Sequence, residues 1–162
     1  MPEEPKKFDH GNDPLPGYVF KVNLTLPTGT AVAFFKSVGG LSYETEAVEL
    51  KEGGVNHMTH KLVGGTKFKN LTFKRGFTAD SGMLEWKNKW MKWQETGSEF
   101  PGRIESGTIE QLNNALDVVA TWTFVKGFPA KWELSELDAS KNEVAIETME
   151  IAHHGISYAK NR

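Results

Sequence analysis

Period-two alternation begins at Tyr18. In Val19-Phe20-Lys21-Val22-Asn23-Leu24-Thr25-Leu26, the side chains of Phe20, Val22, Leu24 and Leu26 share one face, and Lys21, Asn23 and Thr25 share the other. Pro27-Thr28-Gly29-Thr30 closes this strand, and Ala31 to Val38 returns as its hairpin partner before Gly39-Gly40. A second, longer hairpin follows: Leu41 to Leu50, a turn at Lys51-Glu52-Gly53-Gly54, then Val55 to Val63, with Gly64-Gly65 as punctuation. Alternation resumes over Lys67 to Thr78, where the step from Phe68 to Leu71 breaks parity and predicts a bulge or a late strand start.

One segment changes period. From Asp80 to Gln94, Met83, Trp86, Trp90 and Trp93 fall at i, i+3, i+7 and i+10, which places them on one face of a helix that packs on the strands. Lys87, Lys89 and Lys92 occupy the other faces, Asp80 or Ser81 supplies the N-cap, and Glu85 lies in the first turn. Arg103 to Gln111, Asp117 to Val125 and Ala130 to Leu137 then read as strands, with a break at Gly127-Phe128-Pro129. Asn142 to Tyr158 fits both periods, since Val144 and Ile146 alternate while Ala145, Met149, Ala152 and Ile156 recur at helical spacing. The sum is a mainly β fold: a small antiparallel barrel or sandwich with one flanking α-helix and extended hairpins. Residues 18–162 form this domain, and residues 1–17, with Pro2, Pro5, Pro14 and Pro16, form an arm without regular structure.

The long hairpin has unusual chemistry. Its first strand carries Glu44, Glu46 and Glu49, with Lys51 and Glu52 in the turn; its second carries His57, His60 and Lys61. Its apolar residues, among them Tyr43, Ala47, Val48, Leu50, Met58 and Leu62, are divided between both faces. A ribbon of this kind is marginal alone in water, and its edges are templates for another chain. It reads either as a solvated hairpin lying on the barrel or as a ribbon completed by neighbouring subunits.

Composition narrows the function classes. A formal charge of −2 provides no surplus of cations for general nucleic-acid binding. The absence of cysteine removes thiolate nucleophiles, disulfides and Cys-ligated zinc together. His57 and His60 stand three apart on a strand, and His153 and His154 are adjacent, so each pair diverges to opposite faces and no metal site is expected. No nucleophile elbow, P-loop or dinucleotide-binding glycine motif is present, so neither catalysis nor a cofactor is expected. The N-terminus lacks an apolar signal core, and no run reaches the roughly 20 apolar residues of a membrane span.

In order and wording, four stretches resemble the tail-tube family, the inner-tube proteins of contractile phage tails and extracellular contractile injection systems. They are Tyr18 to Val22 followed by Phe34 to Leu41; Tyr43-Glu44-Thr45-Glu46 through Lys51-Glu52-Gly53-Gly54; Asn70 to Gly76 leading to the helix with Trp86; and Phe128 to Ile156. The resemblance implies a small antiparallel barrel flanked by a helix, with six copies per ring and rings stacked into a hollow tube inside a contractile sheath. It implies that Glu44, Glu46, Val48, Glu49, Lys51, Glu52, His57, Met58, His60 and Lys61 line the lumen and close the ring. It implies a second lumen hairpin turning through Asp138, Ser140, Lys141, Asn142 and Glu143, and it favours strand for Asn142 to Ile151. Lys87, Lys89 and Lys92 become candidates for sheath contact. Expected partners are copies of the chain, sheath subunits, baseplate or hub and tube-terminating proteins, and cargo or DNA passing the lumen without sequence-specific binding. Assembly in the bacterial cytoplasm, into a virion tail or phage-tail-like particle and without membrane insertion by the subunit, is the corresponding localisation. The alternative reading is a monomeric barrel that binds a small ligand.

Overall fold

The computed structural model describes residues 19–27, 29–51, 53–54, 58–77, 82–141 and 143–160. The proline-rich arm, Glu52, His57, Asn142 and the N-cap residues Asp80 and Ser81 lie outside the described residues. Among the described residues, ten strands and one helix occur in the order β1 (Val19–Leu26), β2 (Gly29–Phe35), β3 (Ser37–Gly39), β4 (Tyr43–Leu50), β5 (His60–Phe68), β6 (Leu71–Gly76), α1 (Gly82–Thr96), β7 (Ile104–Leu112), β8 (Val118–Leu134), β9 (Ile146–Ala152) and β10 (Gly155–Lys160).

Every pairing is antiparallel. The main sheet runs β2-β1-β7-β8-β9-β6-β3, with β10 on β8. Its two terminal strands, β2 and β3, are halves of one bent segment separated only by Lys36. The sheet therefore curls until chain continuity joins its ends, and the Lys36 amide donates to the Lys74 carbonyl at 2.9 Å across that corner. The long strand β8 forms the opposite corner. Its first half pairs with β7 on one edge and β10 on the other; its second half, from Phe128, pairs with β9.

The alternation read from the sequence decides which side is filled. Val22 and Leu24 of β1, Ala31, Ala33 and Phe35 of β2, Leu71 and Phe73 of β6, Ile109 of β7, Phe124 of β8 and Met149 and Ile151 of β9 meet in one buried core. Helix α1 covers it with Met83, Trp86 and Trp90, while Trp93 packs half-buried beside Phe100. Burial contributes on the order of 1.5–3 kcal/mol for each large apolar side chain.

Three expectations are corrected. Gly64-Gly65 do not end a strand: β5 runs through them, and together they oppose the single residue Glu46, forming a bulge between the Thr45–Thr66 and Ala47–Val63 pairs. A side chain at Gly64 would bring its Cβ within 2.8 Å of the Glu46 carbonyl oxygen, so glycine is what permits the close approach. The predicted break at Gly127-Phe128-Pro129 is also absent, because β8 continues unbroken to Leu134. Pro129 sits beside a bulge in the β9 ladder and beyond the last β7 pair at Gly127, where a missing N–H is tolerated. The ambiguous C-terminal segment is strand, but it starts at Ile146 and divides at His153-His154 into β9 and β10. The parity break between Phe68 and Leu71 is a strand boundary, since β5 ends at the first and β6 begins at the second.

Candidate functional site

The two-stranded sheet β4–β5 stands apart from the main sheet. Its exit from β3 turns at Gly40, whose φ of 79° suits glycine; a Cβ there would fall 1.9 Å from the Asn70 carbonyl oxygen. The root is fastened by the Lys69 amide donating to Ser42 O at 3.3 Å and by His153, whose Nε2 lies 3.0 Å from Lys69 O and Nδ1 3.1 Å from Gly155 O. The His153 ring also packs 5.6 Å from that of Phe68.

Beyond this root the ribbon is open to solvent: all of β4 and nearly all of β5 are exposed. Facing pairs include Glu44 with Lys67, Thr45 with Thr66, Ala47 with Val63, Val48 with Leu62, Glu49 with Lys61 and Leu50 with His60. Glu49 faces Lys61 and Glu44 faces Lys67, a residue not singled out from the sequence, whereas His60 faces Leu50 rather than a carboxylate. Glu46 occupies the bulge, and Lys51 and Met58 are exposed beyond the strand ends. Opposite-charge pairs on exposed strands stabilise by about 0.2–1 kcal/mol each, too little to hold a lone ribbon by themselves.

The second predicted hairpin is the β8–β9 connection. Asp138 Oδ1 accepts the Ser140 amide at 2.9 Å and the Ser140 hydroxyl at 2.6 Å, and the Lys141 amide donates to Asp138 O at 3.2 Å. The Ser140 hydroxyl and amide bonds hold the Asp138 carboxyl below its ordinary pKa, because they favour the anion. Lys141 and Glu143 are exposed on this turn. Behind it, β3, β6, β9 and the second half of β8 form a four-stranded surface whose concave outer face is lined mostly by polar residues, Thr72, Lys74, Lys131, Glu133, Ser135, Thr148 and Glu150, together with Ile146. Among the described residues, β3 pairs only with β6, and β8 from Phe128 onward pairs only with β9. This surface therefore has two open edges, like the ribbon.

The helix corrects one more expectation. Lys89 and Lys92 are exposed, but Lys87 is buried at 7% relative exposure, with its Nζ 3.8 Å from the centre of the Trp132 ring. Beneath it, Glu147 is 1% exposed and accepts Arg75 Nε and Trp132 Nε1, both at 2.8 Å. Burial lowers the Lys87 pKa, and the charge of Glu147 partly offsets that. One carboxylate thus ties β6, β8 and, through the adjacent lysine, α1. Sequence reasoning passed over Arg75 and Glu147, although both fall on the buried parity of their strands, in line with Leu71 and Phe73 and with Met149 and Ile151.

Among the described residues no group of three or more His, Asp or Glu side chains is placed to hold a metal ion, and no helix is long and apolar enough to cross a membrane.

The fold is shared with tube components of contractile machines. A chain in the cryo-EM structure of the anti-feeding prophage baseplate, 6-fold symmetrised, superposes with a TM-score of 0.75 at 24% identity, covering 92% of this chain and 97% of that one. A chain of the sheath-tube complex of the extracellular contractile injection system PVC, in its extended state, gives 0.70 at 23% identity over 93% and 94%. The crystal structure of an Hcp protein retains the fold at 9% identity, with a TM-score of 0.57 over 88% and 92%. No curated protein sequence matches the chain. The family described as T4-like virus tail tube protein gp19 matches residues 16–157, and the chain belongs to it.

Proposed function

We propose that the chain is a structural, non-catalytic subunit that assembles six to a ring, with rings stacked into the inner tube of a contractile phage tail or injection system. The observation that carries this reading is the β4–β5 ribbon, exposed along its length and unpaired at both edges among the described residues. Such a ribbon gains stability when another chain supplies the missing pairing and burial. The edges of β3 and of the second half of β8, open among the described residues, support the same conclusion, because a four-stranded sheet with two such edges closes into a ring when copies join edge to edge.

In this reading the polar concave face around Lys74, Lys131, Glu133 and Glu150 and the turn from Asp138 to Glu143 border the lumen, and Glu44, Glu46, Glu49, Lys51, His60 and Lys61 set ring closure. Glu52, His57 and Asn142 belong to the same proposal by position in the chain. Lys89 and Lys92, on the solvent side of α1, are the cations left for a sheath subunit once Lys87 is withdrawn. Baseplate and terminator proteins complete the two ends, assembly takes place in the bacterial cytoplasm, and cargo or DNA passes the lumen without sequence-specific contacts. The alternative ligand-binding barrel requires a hollow interior, whereas the side chains of Leu24, Phe73, Ile109 and Phe124 occupy this one.

Negative-stain microscopy of the concentrated protein, with baseplate components added, tests the proposal. Rings or tubes with a central channel are expected; discrete monomers under all these conditions would overturn it.

A further inference from the structure

We infer that the turn between β7 and β8 docks on a second copy of the chain in the next ring: Leu116 and Asp117 of one copy seat against the aromatic shelf of Phe100 and the ammonium of Lys126 on the other. The inference rests on the assembly reading above and names the residues of one contact within it.

Backbone strain marks both ends of the β7–β8 ladder. Among the described residues, Leu116 and Lys126 are the two non-glycine residues with a left-handed backbone, at φ of 64° and 54°. Glycine or asparagine fits that conformation at lower cost, so a leucine and a lysine kept there point to work done by their side chains. Leu116 lies in the turn that follows Leu112 of β7, and Lys126 precedes Gly127, the partner of Ile104 at the ladder's other end. The nine residues of β7 set these ends about 27 Å apart.

The turn is built to hold its shape. Asn113 Oδ1 accepts the amides of Ala115 and Asp117, both at 2.9 Å. The Asn113 amide donates to Asp117 O at 3.0 Å, and the Leu116 amide to Asn113 O at 2.9 Å. On this scaffold Leu116 is 70% exposed, with Asp117 exposed beside it. The lone subunit gains nothing from a strained leucine held in water.

The far end carries the complement. Phe100 is 51% exposed and stands edge-on to Trp90 and Trp93, with ring centres 5.3 and 5.1 Å away. Trp90 stacks at 5.8 Å on Phe128, two residues beyond Lys126, so shelf and lysine share one end. Arg103 leans on the Phe128 ring at 5.5 Å and lies 3.4 Å from His154 Nε2, which makes Lys126 the cation assigned to Asp117. Glu99 and Glu105 are exposed nearby, so net charge does not select the contact. The leucine on the phenylalanine supplies the burial, and the Asp117–Lys126 pair fixes its register.

A knob and a shelf at opposite ends of one ladder cannot meet within a subunit. Identical copies set head to tail bring them together, and a heterologous contact of this kind repeats without closing, as a growing stack requires. Ring closure through the edges of β3 and β8 leaves the turn available for it.

Sedimentation velocity and negative-stain microscopy of full-length variants separate this contact from ring closure. Leu116→Asn, which suits the left-handed backbone, is expected to hold or raise the urea midpoint yet stop at single rings of six 18.1 kDa subunits. Asp117→Lys is expected to stop at the same stage, and adding Lys126→Asp to it should restore tubes. Wild-type-like tubes from Leu116→Asn, or no rescue by the charge exchange, would overturn the contact while leaving the assembly reading intact. So would a lowered urea midpoint for Leu116→Asn, since the leucine would then serve its own subunit. Wild-type chains that never leave the monomer would overturn the assembly reading and this inference with it.

Discussion

The β6–β9 pair and the β4–β5 ribbon are built from the same kind of antiparallel ladder, yet they end in opposite environments. In β6–β9 every second residue enters the core, and even its charged members on that parity, Arg75 and Glu147, are satisfied inside the subunit. Among the described residues, neither face of the ribbon finds a partner beyond the root. Local pairing is equal in the two; what differs is whether the chain folds something over it. The buried ladder spends its side chains on the subunit's own core, and the open one leaves them in solvent.

The sharpest way to break this contrast is to remove the buried carboxylate. Glu147→Ala leaves Arg75 and Lys87 in the interior without their anion and is expected to destabilise the subunit by about 3–5 kcal/mol in urea denaturation. Phe73→Ala, at a fully buried position against Phe35, should remove a similar amount, about 3–5 kcal/mol. By contrast Val63→Glu should shift monomer stability by no more than about 0.5 kcal/mol while abolishing assembly. A core-sized loss at Val63 would erase the distinction between the two regions.

A subtler prediction concerns pH. The Lys87 pKa is lowered from its ordinary 10.5 by burial, so between the lowered value and 10.5 the unfolded chain binds more protons than the native one. Stability from this group is therefore smallest where both states are protonated and rises as pH rises through that window. Lys87→Met should flatten the rise in a series of urea midpoints across the alkaline range. An unchanged slope would show that the buried ammonium is not its source. Smallest of all, Gly64→Val crowds the Glu46 carbonyl and should alter exchange rates around the bulge while leaving barrel stability within about 0.5 kcal/mol.

Much of the barrel is legible in the chain because burial there follows period two. Phe20, Val22, Leu24 and Leu26 share a face that the core claims, and the tryptophans at helical spacing cover it. Glycine and proline mislead where tertiary pairing reuses them: Gly64-Gly65 form a bulge inside a strand, and Pro129 falls at another bulge, so neither interrupts its ladder. The withdrawn side chain of Lys87 could not be foreseen from helix periodicity, since its position depends on Trp132 and Glu147, brought from strands 45 and 60 residues away. Of the candidate site, the ribbon itself is readable, whereas its Glu49–Lys61 and Glu44–Lys67 pairs and the open edge of β8 require the register.

Hydrogen–deuterium exchange on the dilute subunit and on the assembled material tests the central claim most directly. The account predicts that amides of Tyr43–Leu50 and His60–Phe68 exchange rapidly in the lone subunit and become protected on assembly, while Leu71–Gly76 and Ile146–Ala152 are protected in both. Ribbon amides already as protected as the barrel in the monomer would contradict it.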